Sequence, residues 1–249
     1  MDEVEPNDLI ENATPMPNDN SATGEINPAN DFDFFSFTAT EGDYVVVSTT
    51  ATTGTCGSPS NDTGLDTYLT IYASDGTPLM QNDNMSVDDW CGGIGPVGPL
   101  VADTYYAEVT SFVGTEGLYT LILAPGTVSE TEPNETAAEA DAYADNWVSA
   151  MYPETDSDFV SFVVTSANSS ATIETTAING VCTDGWTDTY LLLLDSNDNE
   201  IDSNDDIDLN GGNYCSRMMP TGLAVGTYNV QVLSIAGSYP YGLTITITP

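Results

Sequence analysis

The sequence predicts an all-β chain: two tandem antiparallel β-sandwich domains of jelly-roll or Greek-key type. Three observations carry that expectation. The composition is that of short strands and turns, with 13 Tyr, 21 Gly and 14 Pro in 249 residues, abundant Val and Thr, and no long Ala/Leu/Glu/Lys run. Apolar residues alternate with period two, as in Tyr44-Val45-Val46-Val47-Ser48, Tyr68-Leu69-Thr70-Ile71-Tyr72 and Tyr228-Asn229-Val230-Gln231-Val232. The same ordered landmarks occur twice along the chain.

The duplication fixes the domain organisation. Glu3-Val4-Glu5-Pro6-Asn7-Asp8 returns as Glu130-Thr131-Glu132-Pro133-Asn134-Glu135. Asp31-Phe32-Asp33-Phe34-Phe35-Ser36-Phe37 returns as Asp156-Ser157-Asp158-Phe159-Val160-Ser161-Phe162, and Asp66-Thr67-Tyr68-Leu69 as Asp188-Thr189-Tyr190-Leu191. Asn82-Asp83 matches Asn204-Asp205, Cys56 and Cys91 match Cys182 and Cys215, and Thr104-Tyr105 matches Thr227-Tyr228. All offsets lie between 122 and 127, so the chain divides into homologous domains at 1–125 and 126–249, with Pro125-Gly126 at the boundary. Within each domain, turn signals such as Glu41-Gly42-Asp43, Ser74-Asp75-Gly76 and Ala224-Val225-Gly226 separate the strand runs. Thr136 to Tyr143 is the one stretch of helical composition. The cysteine pairs stand 35 and 33 residues apart, which suggests one disulfide per domain, Cys56–Cys91 and Cys182–Cys215. Closing a loop of that length contributes about 4 kcal/mol in the chain-entropy model. Four buried free thiols are the alternative. Disulfides imply an oxidising, extracellular compartment.

Charge narrows the function classes. The chain has one base, Arg217, against 39 Asp or Glu, no His, and a formal net charge of −38. Without His there is no Ser-His-Asp or Cys-His nucleophile pair and no His-ligated zinc. One cation cannot form the basic surface that nucleic acid requires, and anionic lipid repels a uniformly acidic one. No apolar run reaches the roughly 18 residues of a spanning helix, so membrane insertion is not expected. Met1-Asp2-Glu3-Val4 lacks the basic and then apolar opening of a secretory signal, so secretion would rest on a leader outside this chain. Asp62-Thr63-Gly64 resembles the aspartic-protease triplet, but the second copy has no counterpart, and no catalytic role is assigned. N-x-[ST] sequons at Asn12, Asn61, Asn84, Asn134 and Asn168 are about as many as chance supplies.

Carboxylates without bases offer oxygen ligands for hard cations, calcium above all. Pro6 keeps the opening motif out of helix interior, so Glu3, Glu5, Asn7 and Asp8 can converge on one point, as can Glu130, Glu132, Asn134 and Glu135. Asp31 and Asp33, or Asp156 and Asp158, follow about 25 residues later at i, i+2 spacing, which puts both on one strand face or loop edge. Two such clusters repel unless they are held apart or an ion bridges them. A later acidic loop in each domain carries Asn82, Asp83, Asp88 and Asp89, or Asp205, Asp206, Asp208 and Asn210. Asp206 to Gly211 matches the first half of an EF-hand loop, but its twelfth position is Arg217 in place of the bidentate Glu, so the EF-hand reading fails; the loop is read as solvated, with an extra weak calcium site as the alternative.

The ordered pattern E-x-E-P-N-[DE], D-x-D-[FYW]-x-x-F, D-[ST]-Y-L, N-D and G-T-Y resembles the bacterial pre-peptidase C-terminal domain, the family that includes the collagen-binding domains of clostridial collagenases. Two tandem copies cover essentially the whole chain. The resemblance implies a calcium-stabilised β-sandwich, about one ion per domain. Its ligands would be Glu3, Glu5, Asn7, Asp8, Asp31 and Asp33 in the first domain, and Glu130, Glu132, Asn134, Glu135, Asp156 and Asp158 in the second. Glu135 departs from Asp8 by a longer arm.

Family members usually sit beside a secreted peptidase domain, which this sequence lacks. The expectation is therefore a non-catalytic, extracellular, calcium-stabilised structural or adhesive protein. It would self-associate head to tail into a filament through the opening segment and the final strand Gly242 to Thr248, with calcium at Glu130 and Glu132 setting the angle at the domain joint. The alternative is an accessory module that binds collagen, another insoluble extracellular protein or a polysaccharide.

Overall fold

A computed structural model describes residues 2–52, 56–58, 64–85, 88–178, 182 and 187–249. The Asp62-Thr63-Gly64 triplet and the Asn61 sequon lie largely or wholly outside these residues. Asp88 and Asp89 are described, whereas Ser86 and Val87 are not.

The chain forms two compact units, Met1–Thr127 and Val128–Pro249. The boundary falls two residues beyond Pro125, because the Gly126 amide donates a 2.6 Å hydrogen bond to the Tyr44 carbonyl and stays with the first unit. Unit one carries β1 (Thr14–Pro15), β2 (Ser21–Ile26), β3 (Asp33–Ala39), β4 (Asp43–Ala51), β5 (Thr67–Tyr72), β6 (Pro78–Asn82), β7 (Gly93–Leu100), β8 (Asp103–Ser111) and β9 (Gly117–Pro125). Unit two repeats the series as β10 (Asp141–Ala142), β11 (Trp147–Met151), β12 (Ser157–Val164), β13 (Ser170–Ala177), β14 (Thr189–Leu194), β15 (Glu200–Asn204), β16 (Arg217–Met218), β17 (Gly226–Ser234) and β18 (Tyr239–Thr248).

Among the described residues, each unit has one sheet of five strands and one of four. The orders are β1-β3-β8-β5-β6 and β2-β9-β4-β7 in unit one, and β10-β12-β17-β14-β15 and β11-β18-β13-β16 in unit two. Among the strands named here, the pairings are antiparallel except the short parallel contacts of β1 with β3 and of β10 with β12. Two facing sheets are the arrangement that alternating half-buried strands require.

The cores follow the alternation. In unit one, Phe35, Val47, Leu69, Ile71, Val109, Tyr119 and Leu121 are buried. In unit two, Trp147, Val160, Ile173, Leu191, Val230 and Tyr241 form the equivalent cluster. Strand β7 reads Gly-Ile-Gly-Pro-Val-Gly-Pro-Leu, a poor central strand because two prolines lack N–H donors. It lies at the end of its sheet and pairs with β4 through an irregular register. A Cβ on Gly95 would come within 2.4 Å of the Val45 carbonyl oxygen, so only glycine allows that approach.

The helical expectation for Thr136 to Tyr143 does not hold. Thr136–Glu139 makes a single turn, closed by Glu139 N–H to the Thr136 carbonyl, and Asp141–Ala142 then pairs with β12. One turn has no room to offset the cost of helix nucleation, and the strand contact captures Asp141 and Ala142. Both expected disulfides are present, Cys56–Cys91 and Cys182–Cys215. Arg217, the sequence's one base, sits opposite Glu174 across β13 and β16 and forms a bidentate pair at 2.7 and 2.9 Å. No helix among the described residues is long and apolar enough to cross a membrane.

Candidate metal centre

Each unit opens with an extended strap laid against its own sandwich. In unit one, Asp2 bridges Thr23 in parallel, and Glu3 N–H donates to the Thr23 carbonyl at 2.8 Å. The Val4 amide donates to Thr14 Oγ1 at 3.0 Å, and the Asn7 carbonyl accepts Phe34 N–H at 3.0 Å. In unit two the Ser129 amide donates to the Val148 carbonyl at 2.7 Å, the Thr131 amide to Asp141 Oδ2 at 2.6 Å, and Phe159 N–H to the Asn134 carbonyl at 3.0 Å. The strap is thus held to β2, β1 and β3, or to β11, β10 and β12.

Period two explains the acidic residue beneath the strap. Asp33 begins β3 on the face of Phe35 and Phe37, and Asp158 lies on the face of Val160 and Phe162 in β12. Both are fully buried, at 0% exposure. Tyr119 and Tyr241, from the opposite sheet, each donate a 2.6 Å hydrogen bond to Oδ2 of this Asp. Oδ1 of Asp33 and of Asp158 is buried and takes no hydrogen bond.

The strap brings more carboxylates to the same point. Oxygens of Glu3, Glu5 and Asp33 lie within 4.8 Å of one another, as do those of Glu130, Glu132 and Asp158. Glu3 Oε1 accepts the Glu25 amide at 2.8 Å, and Glu130 Oε1 accepts the Ala150 amide at 3.0 Å. The second oxygen of Glu130 accepts the Ser149 hydroxyl. In unit one the position opposite the tyrosine is Gly24 instead, and a Cβ there would meet Tyr119 Oη at 2.3 Å and Glu3 Oε2 at 2.5 Å.

Asp31 and Asp156 sit on the loop before the strand and are held by backbone amides. Asp31 accepts Asn27 N–H and Phe32 N–H at 2.9 and 3.2 Å, and Asp156 accepts Tyr152 N–H and Ser157 N–H at 3.0 and 2.8 Å. Asp8 is exposed and stands outside the unit-one group, whereas Glu135, with its longer arm, joins Glu132 and Asp156 within 4.8 Å. Unit two therefore has two overlapping carboxylate triads that share Glu132.

Burial and mutual repulsion govern the electrostatics. Loss of solvent is the largest cause in every case, and neighbouring carboxylates add to it. Asp33 is pushed up to about 8, Glu130 to about 8 and Glu132 to about 7. Glu3 and Asp156 are raised, and Asp158 stands well above the ordinary carboxylate range. Burying several acids together without a base is unfavourable unless they are protonated or a cation joins them.

Asn7 and Asn134 lie on the same straps. Both are at 0% exposure, and neither Oδ1 nor Nδ2 of either side chain has a hydrogen-bond partner. Buried polar groups are nearly always paired, so two orphaned amides at equivalent places in two units call for a missing partner. The donor set is all oxygen: a fully buried Asp in each unit, further carboxylates that range from buried Glu130 to exposed Glu5 and Glu135, and one neutral side-chain carbonyl per unit. An all-oxygen set of this kind has the chemistry that suits a hard divalent ion of the calcium class, and Asn Oδ1 could serve as one of its ligands. The same burial leaves no room for a glycan on the Asn134 sequon. A further group, Cys56, Asp89 and Cys91, is not a metal site, because both thiols are spent in the disulfide and Asp89 Oδ1 accepts the Cys91 amide at 3.1 Å.

Sequence reasoning missed the tyrosines. Tyr119 and Tyr241 are 122 residues apart, within the offsets of the other landmarks, and aligning the two final strands would have revealed them. It also missed Ser149.

No family model matches the chain, and no curated protein matches it. Among solved structures it is similar to the extracellular domain of ANXUR2 from Arabidopsis thaliana, with 10% identity, 90% of this chain and 82% of that chain covered, and a TM-score of 0.26. It is also similar to the ANX2 ectodomain of the same organism, with 8% identity, 90% and 82% coverage, and a TM-score of 0.25. Superpositions this loose tie the chain to neither protein's function.

Proposed function

We propose that the chain is a non-catalytic, extracellular structural or adhesive protein made of two calcium-fastened β-sandwiches similar to pre-peptidase C-terminal domains. The observation that carries this is the orphaned, fully buried Asn7 and Asn134, together with the buried Oδ1 of Asp33 and of Asp158, which also lacks a partner in each unit. The ion would lock the strap of each unit onto its own sandwich, with Glu3, Glu5, Asn7 and Asp33, or Glu130, Glu132, Asn134 and Asp158, as its ligands. Glu135 and Asp156 extend the set in unit two. Two disulfides fit an oxidising compartment, where calcium is millimolar. A site of matching affinity contributes about 0.4 to 1.4 kcal/mol at one to ten times its dissociation constant. Head-to-tail self-association into a filament is the assembly proposed. Thermal unfolding in calcium and in EDTA tests the ion, and electron microscopy of the calcium-loaded chain tests the filament. An unchanged melting temperature sinks the first, and dispersed single particles at every concentration sink the second.

A second reading, attachment to an insoluble polysaccharide or matrix protein such as collagen, draws on the outer face of the five-stranded sheet in unit one. Tyr68 and Tyr72 on β5 and Tyr106 on β8 are half-buried there, Tyr72 donates to Glu108 Oε2 at 3.0 Å, and Tyr68 stacks on Phe112. Flat aromatic surface beside a carboxylate suits sugar rings and hydroxyls. Co-sedimentation with cellulose, chitin and collagen, lost in Tyr72→Ala and Tyr106→Ala, would favour this reading over the filament.

A further inference from the structure

The acidic loops that follow β6 and β15 hold a second constellation. Strands β14 and β15 are antiparallel neighbours, with Leu191 opposite Asn204, so the residue before β14 meets the residues after β15. Carboxylate oxygens of Asp188, Asp205 and Asp206 lie within 4.8 Å of one another. Asp188 is 4% exposed, and Asp206 Oδ1 is shielded from solvent without a hydrogen bond. The loop is fastened beside the Cys182–Cys215 disulfide, where the Ile207 amide donates to the Cys215 carbonyl at 2.6 Å and the Tyr214 amide to the Cys182 carbonyl at 2.9 Å. Asp208 turns away, its Oδ1 accepting the Gly211 amide at 3.0 Å.

Unit one repeats the framework with one telling change. Leu69 lies opposite Asn82 and the Met85 amide donates to the Cys91 carbonyl, so Asp66, Asp83 and Asn84 occupy the positions of Asp188, Asp205 and Asp206. The Asn84 side-chain Nδ2 donates to Asp83 Oδ1 at 2.6 Å, which satisfies part of the group internally. Asp66 is 5% exposed, lies within electrostatic reach of Asp83, and keeps a buried Oδ1 with no hydrogen bond. A nine-tenths buried carboxylate oxygen without a donor, at the same place in the fold as a triad of carboxylates, marks a position built for a cation. In unit two an acid replaces the one amide that could have relieved the repulsion.

We propose that Asp188, Asp205 and Asp206 form a second cation site in unit two, selective for a hard divalent ion of the calcium class, and that Asp66 and Asp83 form a weaker version in unit one. Ligand charge count sets the ranking: three carboxylates against two and an amide. The loop that the sequence favours as solvated, with a weak calcium site as the alternative, is then a binding loop, completed by an Asp that lies 17 residues before Asp205. This site shares no residue with the strap centre.

Manganese, an oxygen-seeking paramagnetic ion, reads both locations separately in one spectrum of the isotope-labelled full chain. Substoichiometric Mn2+ should broaden the amide signals of Thr189, Asp205 and Asp206, and calcium should restore them. Strap binding shows instead at Asn7, Phe34, Asn134 and Phe159, so the two claims stand or fall independently. Asp206→Asn should weaken the effect at Thr189 about tenfold and leave the strap signals responsive. The reciprocal Asn84→Asp should strengthen broadening at Thr67 and Asp83 by a similar factor. Absence of broadening at Thr189 and Asp205 in the unaltered chain, or an equal response in Asp206→Asn, overturns the unit-two site. No gain in Asn84→Asp overturns its unit-one counterpart.

Discussion

Tyr119 donates a 2.6 Å hydrogen bond from its hydroxyl to Asp33 Oδ2, leaving Oδ1 of the same buried carboxylate without a partner. One oxygen is satisfied from within the core, and the other is presented to the strap. Tyr119→Phe removes the donor without opening a cavity. The expected loss is roughly 1–3 kcal/mol in calcium, the range for a hydrogen bond to a buried charged group. Urea unfolding measures it, and Tyr241→Phe should behave alike through Asp158.

Proton linkage gives the cation-free protein an inverted pH dependence. Asp33 rises from 3.8 to about 8, and Glu130 and Glu132 rise from 4.5 to about 8 and about 7. Between the unfolded and folded values the native state binds more protons than the unfolded chain, so stability falls as pH rises. In EDTA the melting temperature should therefore drop across the window from about pH 4 to about pH 8. Calcium competes with those protons, so its stabilising effect should grow over the same window. Melting curves at acidic, neutral and mildly alkaline pH, with and without calcium, show both trends.

Asn7→Ala and Asn134→Ala separate a ligand from a structural amide. In EDTA each substitution removes a buried group that has no partner, so the change should stay within about 1 kcal/mol. In calcium the same change removes a ligand and should lower ion affinity about tenfold. Calorimetric titration of each variant checks this. A larger loss in EDTA than in calcium would mean that the amide serves the fold alone.

Gly24→Ala should act through the strap. The added methyl would overlap Tyr119 and the Glu3 carboxylate at 2.3 to 2.5 Å, forcing Glu3 outward. Overpacking of this kind costs about 1–3 kcal/mol, and here it should also weaken calcium binding in unit one while unit two is unaffected. Domain-resolved titration distinguishes the two.

Much of the fold and of the strap centre was legible in the sequence, for physical reasons. Period-two alternation and turn residues announce strands regardless of context, so the all-β fold follows from them. Duplication made Asn7 and Asn134 conspicuous, because a polar residue that recurs between two acids at the same offset invites a shared role. Burial was not legible. Asp33 and Asp31 look equivalent in sequence, yet one is sealed on the core face of β3 and the other is held by loop amides. Asp8 and Glu135 occupy matching places, and only the longer arm reaches its group. Tyr119, Tyr241 and Ser149 come from distant strands, and Asp188 meets Asp205 and Asp206 only through the β14–β15 pairing. The helical composition of Thr136 to Tyr143 misled because propensity over one turn is weaker than a strand contact.

Hydrogen exchange at the strap contacts is the most direct test of the fastening. The amides of Phe34 and Phe159 donate to the carbonyls of Asn7 and Asn134, and those of Glu3 and Ser129 donate to the sandwich edge. If an ion locks the straps, adding calcium to the EDTA-treated chain should slow exchange at these four amides at least about tenfold, while amides within the β4–β9 and β13–β18 pairings change little. Equal exchange at the four amides with and without calcium would contradict the account.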